Sequence, residues 1–183
     1  MVLEYGAPVD LLARTKRECD TYTLLDGLGI TYARVDHAAA DTMEICRGIE
    51  AVLGAPICKN LFLCNRQQTA FYLLLMPGDK PFRTKELSSQ IGSSRLSFAT
   101  PSHMEQYLGV APGSVSVLGL RNDTERRVRL LIDEDLLACE QIGCHPCVNT
   151  ATLRLGTADL LSRFLPSVKH DFCRVRLLGG DGQ

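Results

Sequence analysis

The chain has 183 residues, with 20 Lys+Arg against 21 Asp+Glu and a formal charge of −1. That length suits one domain spanning 1–183, and 45% hydrophobic residues exclude a disordered chain. Near-neutrality excludes a protein that coats DNA, because neutralising phosphates needs a cationic surplus, so any nucleic-acid contact has to be local.

No apolar run approaches the ~20 residues of a spanning helix, so no membrane association is expected. Residues 1–20 mix Glu4, Asp10, Arg14, Lys16 and Arg17 with short apolar pairs, which predicts no export signal and a cytoplasmic location. Under that expectation the eight cysteines read as reduced thiols, several of them small buried apolar groups, and not as a disulfide scaffold.

Lys16 to Leu28 places Tyr22, Leu25 and Leu28 at helical spacing and meets Gly27 and Gly29, which predicts a helix with a C-terminal brake. Thr31 to Asp36 reads as a strand. Asp41-Thr42-Met43-Glu44 has the form of a capping box and opens a helix to about Leu53, ended by Gly54-Ala55-Pro56. Asn60 to Cys64 and Ala70 to Met76 read as a hairpin across the turn Asn65-Arg66-Gln67-Gln68. Thr84 to Ile91 is a short helix and Leu96 to Ala99 a brief strand. Ser102-His103-Met104-Glu105 repeats the capping-box form and opens a helix ending at Gly109. Val115 to Leu118 and Val128 to Ile132 read as strands flanking a charged turn. Thr150 to Leu155 is a further strand, Thr157 caps a helix to about Leu165, and Phe172 to Leu178 is a last strand. Strands separated by helices, with two hairpin-like pairs, predict a mixed α/β fold in which helices pack on a mixed sheet. Neither a G-x-G-x-x-G after a strand nor a P-loop is present, so dehydrogenase and kinase readings lose their main support.

His145 is the first candidate for chemistry. It stands between Gly143 and Pro146, and a histidine held by two turn-formers has the defined direction that a ligand, an acid/base or a hydrogen-bond donor needs. A loop histidine held by a hydrogen bond is the competing reading. His37, His103 and His170 sit in polar, turn-like or cap contexts and give weak signals. Cys144 and Cys147 make a C-x-x-C around His145, but a structural zinc site needs four ligands, and Val148 to Thr152 is a poor start for the helix that a redox pair uses. Structural thiols are the default there.

Lys59, at the mouth of an apolar strand, is either solvated or places its charge in a pocket to stabilise an anion or a carbonyl oxygen. Pro112-Gly113-Ser114 is either an ordinary turn or one that exposes consecutive backbone N–H groups to a developing oxyanion. Arg95 and the Lys80/Arg83/Lys85 group, set against Asp79 and Glu86, form a solvated face or grip a phosphate backbone.

Four blocks then join these pieces: Cys58-Lys59-Asn60-Leu61-Phe62-Leu63, Arg95-Leu96-Ser97-Phe98, Pro112-Gly113-Ser114-Val115 and Gly143-Cys144-His145-Pro146-Cys147-Val148-Asn149-Thr150. In this order they resemble the freestanding prolyl-tRNA-editing deacylases, the ProX-like relatives of the editing domain of prolyl-tRNA synthetases, over about residues 20 to 178. The likeness is greatest to the branch that removes alanine from tRNA(Pro). The resemblance implies the editing-domain fold, a curved, partly barrel-like mixed sheet with flanking helices. It implies hydrolysis of an aminoacyl ester without metal or other cofactor, helped by the substrate's own ribose hydroxyl. Lys59, Gly113, Ser114 and His145 match the catalytic positions. Met43, Ile45, Asn60 and Asn149 fall where the aminoacyl group binds, and Arg95, with Lys80, Arg83 and Lys85, where the acceptor end does. The implied partner is the acceptor end of tRNA(Pro), and prolyl-tRNA synthetase is the protein partner it admits. Other mischarged tRNAs such as Cys-tRNA(Pro), and a non-catalytic tRNA-binding module, are the alternatives. Two departures stand out. Ala38 to Met43 replaces a proline-containing stretch beside the pocket, which touches amino-acid specificity, and Cys144 and Cys147 look confined to one branch.

Overall fold

The structure, a computed structural model, describes residues 1–39 and 43–179. In chain order it contains β1 (Leu3–Tyr5), α1 (Lys16–Gly27), β2 (Tyr32–Asp36), α2 (Met43–Leu53), β3 (Cys58–Asn65), β4 (Phe71–Pro77), α3 (Thr84–Ile91) and β5 (Leu96–Phe98). A helical stretch at 101–108, here α4, and a 3₁₀ turn at Val117–Asn122 precede β6 (Val128–Asp133) and α5 (Glu134–Leu137). Then come β7 (Gln141–Cys144), β8 (Ala151–Gly156), a helical stretch at 157–167, here α6, and β9 (Phe172–Val175).

The expected mixed α/β architecture is present, but its strands divide into two open sheets, neither closed into a barrel. One is antiparallel in the order β1-β2-β8-β7, and the other is mixed in the order β5-β3-β4-β6-β9. In the mixed sheet β3 pairs antiparallel with β4 and β5, whereas β4–β6 and β6–β9 are parallel. The apolar run of β4 explains its central place. Phe71, Leu73 and Leu75 join the main core, Tyr72, Leu74 and Met76 join a second core under α3, and a strand buried on both faces needs no polar alternation.

The two sheets meet at Gly143. Its N–H donates to Pro56 O at 2.8 Å, Ile57 bridges it in parallel, and the Cys58 thiol donates to its carbonyl at 3.1 Å. A Cβ at this position would lie 2.9 Å from Leu53 Cδ2 and 3.1 Å from Ile57 Cγ1, so any other residue would force these neighbours to shift. This contact carries the 145–149 loop to the start of β3.

Several expectations change. Val115 to Leu118 is not a strand: the N–H groups of Val117 and Leu118 go to Asn60 Oδ1 (2.9 Å) and Ser116 Oγ (3.2 Å), which winds the segment into a 3₁₀ turn. Thr100, not Ser102, caps α4, accepting from the His103 N–H with Pro101 in the first turn. Gly156 is the cap residue of α6 and Thr157 lies inside it. The predicted cap at Asp41 and Thr42 lies outside the described residues. β1, β7 and α5 have no counterpart in the sequence reading. No described helix is long and apolar enough to cross a membrane.

Replacing Gly143 with Ala is expected to destabilise the fold by about 1–3 kcal/mol through overpacking against Leu53 and Ile57. Urea denaturation reads this as a lowered midpoint, and an unchanged midpoint would show that the close approach is not needed.

Candidate active site

A pocket of ≈ 1000 Å³ opens where α2, the 54–57 turn, β3, β5 and the 113–115 segment converge, and His145 closes one side. Of the sequence candidates, Lys59, Asn60, Gly113 and His145 line it. The β3 register sets Lys59 opposite Met76, at the strand's mouth. Its ammonium donates one hydrogen bond, to Lys80 O at 3.0 Å, and holds two further protons for the pocket.

Ala111-Pro112-Gly113-Ser114 is a type II turn: Pro112 sits at the second position, Gly113 takes φ 81°, and the Ser114 N–H donates to Ala111 O at 3.0 Å. The Ser114 N–H is thereby occupied, and Ser114 is buried. The N–H groups of Gly113 and Val115 have no acceptor among the described residues, and both residues line the pocket. Those two N–H groups, unlike that of Ser114, are left available to an acceptor.

Asn60 serves as a latch. Its Nδ2 donates to Cys58 O at 3.1 Å and its Oδ1 accepts from Val117, which ties the turn segment to β3. The buried Ser116 adds a second tie, donating to the backbone carbonyl of His145 at 2.6 Å. Asn149 lies beyond the lining, with its Nδ2 3.5 Å from where a Gly113 Cβ would stand.

The His145 ring is held at Nδ1, which lies 2.9 Å from Ala151 O. A carbonyl only accepts, so Nδ1 carries the proton and Nε2 is a bare acceptor. Burial pushes the imidazole below its ordinary value; the Ala151 bond opposes this, and the repulsion two protonated rings would feel beside His37 adds to the depression. His145 is thus neutral near pH 7. The thiols around it are held protonated: burial pushes Cys144 and Cys147 up, and Cys58 up to about 12.

The other candidates lie apart. Ile45 packs on Val35, Ile49 and Leu53, and the Met43 side chain lies outside what the structure describes. Lys80 departs from the expected phosphate contact: its ammonium lies 2.8 Å from buried Asp133 and 2.8 Å from Asp135. Arg83, Lys85 and Arg95 are exposed on the α3–β5 side.

Three residues were missed in the sequence. Arg47 lines the mouth from α2. Phe98 lines the lip while 60% exposed, an uncommon state for a large aromatic. His37 lies with its ring centroid 6.2 Å from that of His145. The one available signal for His37 was its spacing from Val35, which sets both on one face of the extended chain.

Since the folded protein binds the His145 proton less readily than the unfolded chain does, its contribution to stability is full above about pH 6.5 and is lost as pH falls below that value. Denaturation midpoints measured across about pH 5 to 8 should fall on the acid side, and His145→Asn should lessen the fall. An equal fall in the variant would contradict the assignment.

The family model of the aminoacyl-tRNA editing domain matches residues 37–162. The prolyl-tRNA editing protein ProX of Acetoanaerobium sticklandii is 34% identical over 136 residues, covering 74% of this chain and 83% of that protein. Prolyl-tRNA synthetase associated domain-containing protein 1 of Danio rerio is 34% identical over 166 residues, 90% of this chain and 86% of that one. A solved structure described as a candidate trans-editing enzyme for prolyl tRNA synthetase superposes with a TM-score of 0.66 at 18% identity, covering 90% of this chain and 99% of that one, a likeness of fold. The chain belongs to the aminoacyl-tRNA editing domain family, the prolyl-tRNA-editing deacylases that its sequence blocks resemble.

Proposed function

We propose that the protein is a trans-editing deacylase that hydrolyses alanine from mischarged tRNA(Pro), releasing alanine and the free tRNA. The observation that carries this reading is the convergence of Lys59, the Gly113 and Val115 N–H groups and the neutral His145 on one pocket. An aminoacyl ester is already activated, so hydrolysis asks for a positioned water and a stabilised carbonyl oxygen. The two N–H groups receive the oxygen as water adds and negative charge develops. Lys59 supplies positive charge beside it or holds the terminal phosphate. His145 Nε2 orients the attacking water or the substrate's amino group through a hydrogen bond.

A volume of ≈ 1000 Å³ exceeds the needs of an alanyl group and suits the whole aminoacyl-adenosine end. Rejection of proline then rests on the wall facing the alanyl methyl, where α2 contributes Cys46 and Glu50. The exposed face of Phe98 offers the terminal base a stacking surface, and Arg95 precedes it by three residues on the same edge. A site that takes only the end of a tRNA needs few cations, in keeping with the charge of −1. The acceptor end of tRNA(Pro) is the substrate partner in this reading, and prolyl-tRNA synthetase, which produces the mischarged species, is the protein partner.

Purified protein incubated with a panel of alanyl-, cysteinyl-, seryl- and prolyl-tRNA(Pro) is expected to release alanine fastest and to spare proline. Release of none above buffer would leave a binding module and end the enzyme reading. Lys59→Ala and His145→Ala should each lower kcat/KM by about 10²- to 10³-fold. Phe98→Ala should raise KM about tenfold while kcat stays within about twofold, as loss of one stacked base predicts. A drop in kcat alone would remove Phe98 from base binding.

A further inference from the structure

His37, Thr152 and His145 form a row across three neighbouring strands. β2, β8 and β7 are adjacent, Val35 pairs with Thr152, and Cys144 pairs with Leu153. His37, two residues past Val35, shares the face of Thr152, and His145, one past Cys144, arrives opposite it. The backbone continues the ladder there, since the His37 N–H donates to Thr150 O at 3.0 Å. On the opposite face of β2, Arg14 and Arg34 both bond Asp36, which fixes the strand end from which His37 projects.

The row admits one consistent set of proton positions. His37 Nδ1 lies 2.7 Å from Ala38 O, which can only accept, so Nδ1 carries the proton of the neutral ring. His37 Nε2 is then an acceptor, and the buried Thr152 hydroxyl at 2.9 Å donates to it. With its proton committed to His37, Thr152 Oγ1 offers only lone pairs to His145 Nδ1, 3.5 Å away. The stronger bond from that Nδ1, to Ala151 O, makes the same demand. A Thr152 hydroxyl without His37 could turn its proton toward His145 and support the opposite tautomer, which would place hydrogen on Nε2 and end its use as an acceptor.

We propose that His37 and Thr152 are positioning residues for His145, holding its ring in the Nδ1–H tautomer so that Nε2 meets the substrate as an acceptor. The kinetic consequence rests on the deacylase reading; the tautomer does not. On alanyl-tRNA(Pro), His37→Leu, which frees the Thr152 proton to turn toward His145, should lower kcat about tenfold with KM within about twofold, and adding Thr152→Val, which removes that proton while the Ala151 bond stays, should recover most of the rate. His37→Gln, which restores an acceptor for the Thr152 hydroxyl, should also recover most of the rate. Nitrogen-15 NMR of the histidine rings in the wild-type protein, without substrate, should show His145 protonated on Nδ1. An Nε2–H tautomer, unchanged kcat in His37→Leu, or a double variant no faster than His37→Leu would overturn the proposal. A wild-type chain inactive on every mischarged tRNA would remove the deacylase reading alone, and the NMR tautomer would still decide whether the row acts as described.

Discussion

The contact between Gly143 and the Pro56–Cys58 segment joins two sheets whose strands come from distant parts of the chain. A side chain at Gly143 would strike Leu53 and Ile57, so the joint exists because that position has none. Everything in the pocket is placed from it. Two residues along the loop stands His145, and two residues past Ile57 stands Lys59, so one close approach sets a neutral imidazole and an ammonium on the same cavity. Asn60 and Ser116 then bind the third component, the Gly113 turn, to β3 and to the carbonyl of His145. These ties are buried or part-buried polar bonds, and losing one partner would leave the other unsatisfied, which is why the three components hold their relation.

The chemistry follows from which groups are charged and which are not. Burial keeps His145 neutral and keeps the Cys58, Cys144 and Cys147 thiols protonated, so the cysteines act as apolar filling around a histidine whose one free nitrogen accepts. Positive charge in the pocket comes from Lys59 and Arg47, and fixed partial charge comes from the turn's N–H groups. That division suits an ester whose carbonyl oxygen gains charge and whose attacking water needs orientation more than deprotonation.

Much of this was legible in the sequence where the cause is local. The β3–β4 hairpin and α3 are set by residues close in the chain, and they fall where turn chemistry and periodicity put them. β1 and β7 are three and four residues long, and their strand character comes from partners elsewhere. Val115 to Leu118 has strand-like composition, yet a side chain 57 residues away takes the Val117 N–H and winds the segment. His37 gave only a weak signal because its partner Thr152 lies 115 residues on. Lys80 looked like a surface cation because Asp133, which binds it, is 53 residues away. The blocks around Lys59, Gly113 and His145 were readable as a set, while the N–H groups left without an acceptor among the described residues, those of Gly113 and Val115 and not of Ser114, emerge only from the turn's geometry.

The account's central claim is that one cavity brings these groups to bear on a single aminoacyl ester. A structure of the protein bound to a non-hydrolysable alanyl-adenosine, with an amide in place of the ester, tests it most directly. The account predicts the amide carbonyl oxygen within hydrogen-bond reach of the Gly113 or Val115 N–H, with His145 Nε2 accepting from the amino group or an adjacent water. An analogue seated away from this pocket, or a carbonyl oxygen turned from the 113–115 turn, would contradict it.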